Sequence, residues 1–368
     1  MLTRIYVDNY KCLANFEYQP GTIQLILGGN GSGKSTIFEV LALLRALVIE
    51  NGTTTELFPA STLTRWQQQN YQTFELSVAG NGGTYQYKLV VEHQPEALRS
   101  RIFQEQLSFD EHPLFSSQAG EGRLYQDDHT AGPTVLLDWN RSGLSLLSQR
   151  SASNKLHWFK EWIGRVYRIQ INPYAMTPVS TEEQPHPSGN LANYASWYRH
   201  LSQEEPNVVF HLFNELREII DGFESFSLTK EGENTRVLKA EVRDPSGKVL
   251  KYNFDELSEG QRALTGLYTL LAVMHEMQIT LCIDEPDNYI MLAEIQPWLT
   301  EFAEMAEAHA SQVLVISHHP EIINYFAPRD AVRFFRQHGG PVRVKPFTID
   351  SAEHLPPAEI IARGWDHE

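Results

Sequence analysis

The chain has 368 residues, which fits two domains or one large α/β domain with an insertion. Its 30 basic and 46 acidic side chains give a net charge of −16, which excludes a surface suited on average to nucleic acid. The hydrophobic content of 42% excludes global disorder, and no apolar run of about 18 residues predicts a membrane span. Two cysteines exclude a disulfide framework and no secretory signal is visible, so we expect a cytoplasmic protein.

The first half of the chain predicts β-structure around a Gly-rich turn. Four elements are expected before residue 50, namely strands at 3–7, 14–18 and 23–27 and a helix at 34–49. The alternating segment 73–92, interrupted by Asn81-Gly82-Gly83, predicts a β-hairpin. Residues 110–150 are rich in Ser, Gly, Asp and Gln and predict loops and an irregular insertion. The proline-rich residues 175–190 predict a linker.

The second half predicts alternating helices and strands, with helical structure at 191–222, strands at 224–230, 236–243 and 249–253, a helix at 259–277, a buried strand at 279–283, a helix at 289–309 and a buried strand at 312–316. No sustained heptads predict a coiled-coil arm. This pattern indicates an α/β fold. We expect four segments: 1–110 with a first lobe and an antiparallel β subdomain, 111–190 as insertion and linker, 191–335 with a helical subdomain and the second lobe, and 336–368 as a tail.

Charge is unevenly distributed along the chain. Residues 263–328 contain nine carboxylates and no Lys or Arg, whereas residues 141–168 contain six basic side chains and only one acidic one. Contact with DNA, if made, is therefore expected at 141–168, where Trp158 and Trp162 could stack on bases. The alternative, which we favour, is an amphipathic helix over 157–167 whose aromatic side chains face the core.

One stretch matches the G-x-x-x-x-G-K-[ST] pattern in full: Gly28-Gly29-Asn30-Gly31-Ser32-Gly33-Lys34-Ser35. It lies between a predicted buried strand and a helix, where glycines turn N–H groups inward and the helix N-terminus favours anions. The residues expected to bind the phosphates of ATP are Asn30, Gly31, Ser32, Gly33, Lys34, Ser35 and Thr36. Lys34 would reach the β- and γ-phosphates, and Ser35 would ligate Mg²⁺.

The apolar strand 279–283 leads into two carboxylates, Asp284 and Glu285. An aspartate at the carboxyl end of a strand can hold Mg²⁺, and the next glutamate can activate the attacking water. Cys282 within the strand is expected to be a small buried hydrophobe. Upstream, Ser258 begins the Leu257–Arg262 stretch LSEGQR before a helix. This serine is either a second anion site or simply a helix N-cap.

In this order, the three motifs resemble those of the ATP-binding cassette (ABC) ATPases, in which LSGGQ-type residues face the phosphate loop of a partner subunit. The resemblance implies a homodimer with two bound ATP molecules, with Ser258, Gly260 and Gln261 acting across the interface. It also implies that His318, after the strand 312–316, senses the γ-phosphate. The family's coupling glutamine should lie near the hairpin, where the candidates are Gln67, Gln68, Gln69 and Gln72. His319 is unassigned, and the other twelve histidines show no metal-ligand spacing.

The opening RIYVDNYKCLANFEY and GGNGSGKST resemble the RecF, SMC and OLD-type branch of these ATPases. Asp284-Glu285-Pro286 has the form found in OLD-like ATPases of bacterial phage defence, whereas the following Asp287-Asn288-Tyr289-Ile290 departs from their E-x-x-L-H-P pattern. The 50 residues after His318 are too few for the Toprim nuclease domain that many of those proteins carry. The resemblance therefore implies an effector on a separate protein.

The sequence thus predicts an ATP-hydrolysing dimeric switch, the ATPase component of an anti-phage defence system that controls a separate nuclease or toxin. A RecF-like DNA-repair ATPase is one alternative, and a nucleotide-gated scaffold without turnover is another. The intact Glu285 disfavours the scaffold. The expected ligands are ATP and Mg²⁺, and the expected partners are a second copy of the chain, an effector protein and, at 141–168, DNA. No membrane partner is expected.

Overall fold

The computed structural model describes residues 1–94, 96, 99–146, 153–348 and 355–364. These residues form two compact units. Unit 1 comprises Met1–Val166 and Asp330–Phe347, and unit 2 comprises Tyr167–Arg329 and the described residues of Thr348–Glu368. The chain therefore does not divide into the four segments expected from the sequence. The expected insertion is shared between the two units, and the expected tail contributes to both.

The strands of the described residues, in chain order, are β1 (Leu2–Asp8), β2 (Phe16–Tyr18), β3 (Ile23–Leu27), β4 (Tyr71–Gly80), β5 (Gly83–Gln94), β6 (Arg99–Phe109), β7 (His112–Gln118), β8 (Glu121–Tyr125), β9 (Ala131–Leu136), β10 (Val166–Ile169), β11 (Val179–Ser180), β12 (Phe223–Lys230), β13 (Arg236–Arg243), β14 (Val249–Asn253), β15 (Thr280–Asp284), β16 (Gln312–Ile316), β17 (Ala331–Arg336) and β18 (Val342–Pro346).

The α-helices of the described residues are α1 (Lys34–Ile49), α2 (Thr54–Leu57), α3 (Gly143–Leu146), α4 (Asn154–Gly164), α5 (Tyr194–Glu204), α6 (Pro206–Ile219), α7 (Glu259–Glu276), α8 (Leu292–Ala308), α9 (Pro320–Asp330) and α10 (Pro357–Ala362). Short 3₁₀ helices occupy Ala60–Thr62 and Phe254–Glu256. None of the described helices is long and apolar enough to cross a membrane.

Unit 1 contains an eight-stranded antiparallel sheet in the order β2-β1-β4-β5-β6-β7-β8-β9. Buried and less buried residues alternate along β4, as expected for a strand with one face on a core. The predicted hairpin is confirmed as β4 and β5, which are joined by Asn81 and Gly82 with φ of 51° and 80°. Positive φ at both central positions defines the tight turn that matches the twist of a hairpin.

The sequence expectation of loops over 110–150 was wrong for the part that forms β7, β8 and β9. These strands extend the sheet through two-residue turns at Asp110-Glu111 and Ala119-Gly120, all four residues having positive φ. Most of β9 is exposed at the edge of the sheet, so its sequence carries no alternation between buried and exposed positions. The polar composition therefore concealed regular strands.

Unit 1 also holds the strand that leads into the Gly-rich loop. All five residues of β3 are buried, and β3 pairs in parallel with β17, which pairs antiparallel with β18. A continuous apolar strand of this kind is typical of a parallel sheet covered on both faces. The predicted helix at 34–49 is confirmed as α1, with the same two ends.

Unit 2 contains a second group of buried strands, in which β10, β15 and β16 lie side by side and β15 and β16 are parallel. A separate antiparallel sheet contains β11, β12, β13 and β14, and the three strands predicted between 224 and 253 are among them. The predicted helix at 259–277 is confirmed as α7, which is buried over most of its length. The positions after β15 and β16 carry the acidic and histidine motifs.

Candidate phosphate-loop and hydrolysis site

In unit 1, the loop between β3 and α1 bends through glycines with positive φ. Gly28, Gly31 and Gly33 have φ of 146°, 76° and 93°, conformations that residues with a Cβ rarely adopt. Gly33 is the N-cap of α1 and has no side chain that could occupy the amides of the first turn. The amides at the start of α1 therefore have the arrangement that binds anions at a helix N-terminus.

The space around these glycines distinguishes those that pack against the sheet from those that border open space. A Cβ on Gly28 would lie 2.3 Å from the carbonyl oxygen of Phe334 in β17, and one on Gly33 would lie 2.6 Å from a methyl group of β18. A Cβ on Gly29 or Gly31 would meet no atom within 4 Å among the described residues. Gly28 and Gly33 therefore seat the loop on the sheet, while Gly29 and Gly31 border open space where a phosphate chain can approach the backbone.

Two polar side chains of the loop fit a phosphate ligand. The buried Lys34 donates from Nζ to the carbonyl oxygens of Gly28 at 2.6 Å and Gly29 at 3.2 Å. The Ser32 hydroxyl is buried and has no hydrogen-bond partner within the described part of the chain. A bound phosphate would give the ammonium a charged acceptor and the hydroxyl a partner. Asn30 and Ser35 are exposed at the loop tip and at the start of α1.

Two side chains beside this loop were not expected from the sequence. The Arg336 guanidinium donates from Nη1 to the carbonyl oxygen of Gly31 at 3.2 Å and lies 5.6 Å from the ring centre of Trp66. The Trp66 side chain is 47% exposed. A cation and an aromatic face thus lie together at the loop tip, whereas they are far apart in the sequence and carry no motif.

In unit 2, Asp284 and Glu285 lie at the carboxyl end of β15. Asp284 is buried as the last residue of the strand. Glu285 has φ of 50°, an uncommon conformation for a residue other than glycine, asparagine or aspartate. Its N–H donates to the carbonyl oxygen of Ile316 at 2.7 Å, and its carboxylate accepts from Asn288 Nδ2 at 3.0 Å. Glu285 therefore stays bonded to β16 through its N–H, and its positive φ ends β15.

The segments after β15 and β16 are connected by a side-chain hydrogen bond. The buried Ser317 donates from Oγ to Asp287 Oδ1 at 2.7 Å. Ser317 Oγ also accepts from the N–H of His319 at 2.9 Å. His319 Nδ1 accepts from the N–H of Glu321 in the first turn of α9, so His319 helps to begin that helix. His318 lies between them and is exposed. Unit 2 thus brings the acidic pair and His318 to neighbouring strand ends.

The LSEGQR segment begins α7 with reciprocal capping. Ser258 Oγ accepts from the N–H of Gln261 at 3.2 Å, and Gln261 Oε1 accepts from the N–H of Ser258 at 3.0 Å. The N-cap interpretation of Ser258 is therefore realised in the fold. A Cβ on Gly260 would lie 3.1 Å from the carbonyl oxygen of Tyr289, which places the start of α7 beside the unusual segment after the acidic pair. The role of Ser258, Gly260 and Gln261 across a dimer interface stays a prediction.

Among the four candidate coupling glutamines, Gln72 has a structural role. It is fully buried and donates from Nε2 to the Asn9 carbonyl oxygen at 3.0 Å and to Thr62 Oγ1 at 3.1 Å. Its Oε1 lies 2.9 Å from His93 Nε2, and burial lowers the pKa of His93 to about 4, so the imidazole is neutral and donates. All three polar groups of the Gln72 amide are thus engaged.

The other glutamines near the hairpin are more open, and a further one lies elsewhere. Gln67 donates to Asp8 Oδ1 at 3.3 Å, and Gln68 and Gln69 are exposed. Gln170 follows directly after β10, the strand beside β15, and its side chain is exposed. The sequence signal for Gln170 was the short apolar strand before it. That strand overlaps the basic stretch 141–168, for which a helix was predicted instead.

The aromatic residues of the basic stretch are packed within unit 1. The Trp158 ring stacks on Tyr85 at 4.8 Å with an interplanar angle of 12°, and the Trp162 ring lies 5.7 Å from the buried Phe159. Lys160 donates from Nζ to the carbonyl oxygen of Leu144 at 2.8 Å. The favoured alternative, an amphipathic helix with its aromatic side chains toward the core, is confirmed in part as α4, which spans Asn154–Gly164 rather than 157–167, whereas Tyr167 lies in β10. Arg150 lies outside the described residues.

Solved structures share this fold at low sequence identity. The SMC head bound to the C-winged helix domain of ScpA superposes with a TM-score of 0.59 at 15% identity, covering 96% of this chain and 99% of that one. The Pyrococcus furiosus SMC head with an extended coiled coil, bound to the C-terminal domain of ScpA, gives a TM-score of 0.53 at 13% identity and covers 94% and 96%. The fold and the order of the motifs define an ATPase head of the ABC type, in the SMC and RecF-like branch.

Residues 25–324 match the family described as "AAA domain, putative AbiEii toxin, Type IV TA system". The match spans most of the chain, and the chain belongs to this family. No curated protein matches it.

Proposed function

We propose that this protein binds ATP with Mg²⁺, closes as a homodimer and hydrolyses the ATP, and that this cycle controls a separate nuclease or toxin in bacterial anti-phage defence. The observation that carries the proposal is the pair of carboxylates at the end of β15 in unit 2. Asp284 is buried at the end of β15, and Glu285 follows it with a positive φ. This arrangement supplies one carboxylate for a metal and another for water.

The residues of the phosphate loop would bind the nucleotide. The open backbone at Gly29 and Gly31 and the glycine N-cap of α1 support phosphate binding. Lys34 would exchange its two carbonyl acceptors for the β- and γ-phosphates, and Ser32 would gain a partner. Ser35 and Asp284 would hold Mg²⁺, which when bound neutralises charge on the phosphates.

Glu285 would act as the general base. It would accept a proton from the water that attacks the γ-phosphorus, and the bond to the β-phosphate oxygen would break to release ADP and phosphate. His318 would donate a hydrogen bond to the γ-phosphate. The bond from Asn288 to the Glu285 carboxylate would fix the direction of the base.

An exposed apolar segment in unit 2 supports self-association. Tyr289, Met291 and Leu292 have exposed fractions of 46%, 69% and 59%, and Tyr289 lies beside Gly260 at the start of α7. Contiguous exposed apolar residues mark interaction surfaces. A second copy whose phosphate loop faces Ser258 would cover this segment.

The family description and the solved structural relatives support a protein effector. The family description names a toxin and a toxin–antitoxin system, which supports a defence role. The structural relatives were solved with a bound protein domain, which makes a protein effector the natural partner to seek.

The two alternatives receive less support. DNA binding at 141–168 receives less support from stacking, because Trp158 stacks on Tyr85 and Trp162 packs against Phe159 within unit 1. A scaffold without turnover would have no need for the base, Glu285, that follows Asp284.

The test is ATP turnover by the purified chain, with and without duplex DNA at low salt. Glu285→Gln is the blank and Glu307→Gln, an exposed position on α8, is the matched control. We expect turnover that DNA does not change, loss of about 100-fold or more in Glu285→Gln and none in Glu307→Gln. Strong stimulation by DNA would instead establish the repair alternative. Turnover unaffected by Glu285→Gln would overturn the assignment of the base.

Ser258 is tested by substitutions that retain the helix cap. Asn and Asp both cap helices well, but Asp would place a negative charge against a phosphate. In sedimentation with ATP in the Glu285→Gln background, we expect dimers for Ser258→Asn and monomers for Ser258→Asp. Equal dimerisation of the two variants would contradict a phosphate contact at Ser258.

A further inference from the structure

Two helices of unit 2 bring together residues that sequence spacing did not connect. His211 lies in α6, and His275 and Glu276 are the last two residues of α7. His211 Nε2 and His275 Nδ1 each lie 3.1 Å from Glu276 Oε1. The ligand atoms of all three residues lie within 4.8 Å of one another. The fold thus brings together residues whose spacing in the sequence did not indicate a metal site.

The spacing of these atoms matches a metal site. Zinc bonds of 2.0–2.1 Å at a tetrahedral angle separate two ligand atoms by about 3.3 Å. The two nitrogen–oxygen distances of 3.1 Å are close to that value, and the two imidazole nitrogens lie within 4.8 Å of each other. Two imidazoles and one carboxylate are also a ligand set that zinc sites use, with water in the fourth position.

The cluster is ordered and open to solvent. The His211 and His275 rings lie with centroids 3.7 Å apart, and the His309 ring, at the end of α8, lies 4.9 Å from that of His275. Asn207 Nδ2 lies 3.4 Å from Glu276 Oε2 and supports the carboxylate. The side chains of His211, His275 and Glu276 are 31%, 37% and 24% exposed, so an ion can enter from water.

We infer that His211, His275 and Glu276 bind one divalent transition-metal ion of the Zn²⁺ class. The ion ties the end of α7 to α6 and stabilises this helical part of unit 2. Imidazole ligands select such metals over Mg²⁺, which prefers oxygen ligands. The site goes beyond the proposed nucleotide function, since α7 is 18 residues long and separates the cluster from Ser258 by about 27 Å.

The experiment uses the full chain without a histidine tag, freed of metal by a chelator. Zn²⁺ is the titrant in a calorimetric experiment. Mg²⁺ is present throughout at about 5 mM, so that sites built from oxygen ligands are already occupied. We expect one tight equivalent of Zn²⁺ and a rise in Tm of several degrees. His211→Ala and His275→Ala should each weaken binding at least tenfold and abolish the rise in Tm.

His157→Ala is the matched control, because His157 pairs with Glu161 at 3.4 Å on one face of α4. It should leave both the stoichiometry and the affinity unchanged. Absence of a bound equivalent in the parent chain would overturn the inference, as would equal loss of affinity in His157→Ala.

A second measurement needs no variant. Co²⁺ added to the metal-free chain should give the intense visible absorption of a four-coordinate site, and one equivalent of Zn²⁺ should remove it. Weak absorption of the kind given by six-coordinate Co²⁺ in water would overturn the inference even if the histidine variants fail to fold.

Discussion

The Ser317 hydroxyl donates a hydrogen bond of 2.7 Å to Asp287 Oδ1, so the segment after β16 is joined to the segment after β15. The two residues flank the candidate catalytic groups, since Asp287 follows Glu285 by two positions and Ser317 precedes His318. The bond is made from a buried hydroxyl to a carboxylate, the kind of hydrogen bond whose loss costs most. The bond therefore fixes the residue before His318 to the segment that follows Glu285.

Ser317→Ala should lower the kcat for ATP by about tenfold, because a lost hydrogen bond to a charged group costs about 1.5 kcal/mol in positioning. Nucleotide affinity should change little, since the phosphate loop lies in unit 1. Ser246→Ala is the control, as Ser246 donates to Asp244 at 2.6 Å in an exposed turn. Steady-state turnover and nucleotide titration of the three proteins measure this. An equal decrease in both variants would contradict a positioning role for Ser317.

Gly28→Ala should destabilise unit 1 by about 3 kcal/mol, because the new Cβ would lie 2.3 Å from the Phe334 carbonyl oxygen and φ is 146°. Gly29→Ala should change the unfolding free energy by less than about 0.5 kcal/mol, since its Cβ meets open space. Urea unfolding of both variants measures the contrast. Equal stabilities would show that the loop does not seat on β17 as described.

Trp66→Ala should raise the KM for ATP about fivefold or more without lowering kcat, if the exposed ring beside Arg336 stacks on the nucleobase. Trp139→Ala is a matched control in the same unit. The Trp139 ring lies 4.4 Å from the Arg101 guanidinium and is 41% exposed, but it is not beside the loop. Steady-state kinetics over a range of ATP concentrations tests this. An unchanged KM in Trp66→Ala would exclude the contact.

Gln72 and Gln170 should respond in opposite ways. Gln72→Ala leaves the partners of a buried amide unpaired and should cost about 2–3 kcal/mol of stability. Gln170→Ala should leave stability unchanged and lower ATP turnover, as expected of an exposed residue directly after the strand beside β15. Thermal unfolding and turnover are measured on both, with Gln203→Ala, an exposed position on α5, as control. Full turnover in Gln170→Ala would return the coupling role to Gln67, Gln68 or Gln69.

The elements that sequence predicted well are those with a strong local signal. The buried strands β3, β15 and β16 are unbroken apolar runs, and α1 has apolar residues at helical spacing. The strand β7 was missed because the turn before it, Asp110-Glu111, lacks the glycine that usually marks a two-residue hairpin loop.

The candidate site divides in the same way. Some site residues lie in contiguous motifs, as Lys34, Asp284 and Glu285 do. The chemistry of these residues can be predicted from their neighbours in the sequence. The pairing of Arg336 with Trp66, and of His211 with His275, depends on which elements the fold places side by side. Side-chain chemistry alone does not specify such contacts, because they come from tertiary packing.

Glu301 in α8 predicts a pH dependence of stability. Burial, followed by the charge of Glu215 in α6, raises the pKa of Glu301 to about 7. Between the ordinary carboxyl pKa of about 4.3 and that value, the folded state binds more protons than the unfolded state. The contribution of Glu301 to stability therefore falls as pH rises through this window and is unfavourable above it.

Glu301→Gln should consequently be more stable than the parent chain at pH 8, by about 1 kcal/mol once the half exposure of the group is allowed for. The difference should shrink toward zero near pH 5, where Glu301 is protonated in the folded parent. Glu307→Gln, an exposed position on the same helix, is the control and should show no such pH dependence. Urea midpoints at the two pH values decide the matter. A stabilisation by Glu301→Gln that is equal at pH 5 and pH 8 would contradict a raised pKa, because only the charged carboxylate is unfavourable beside Glu215.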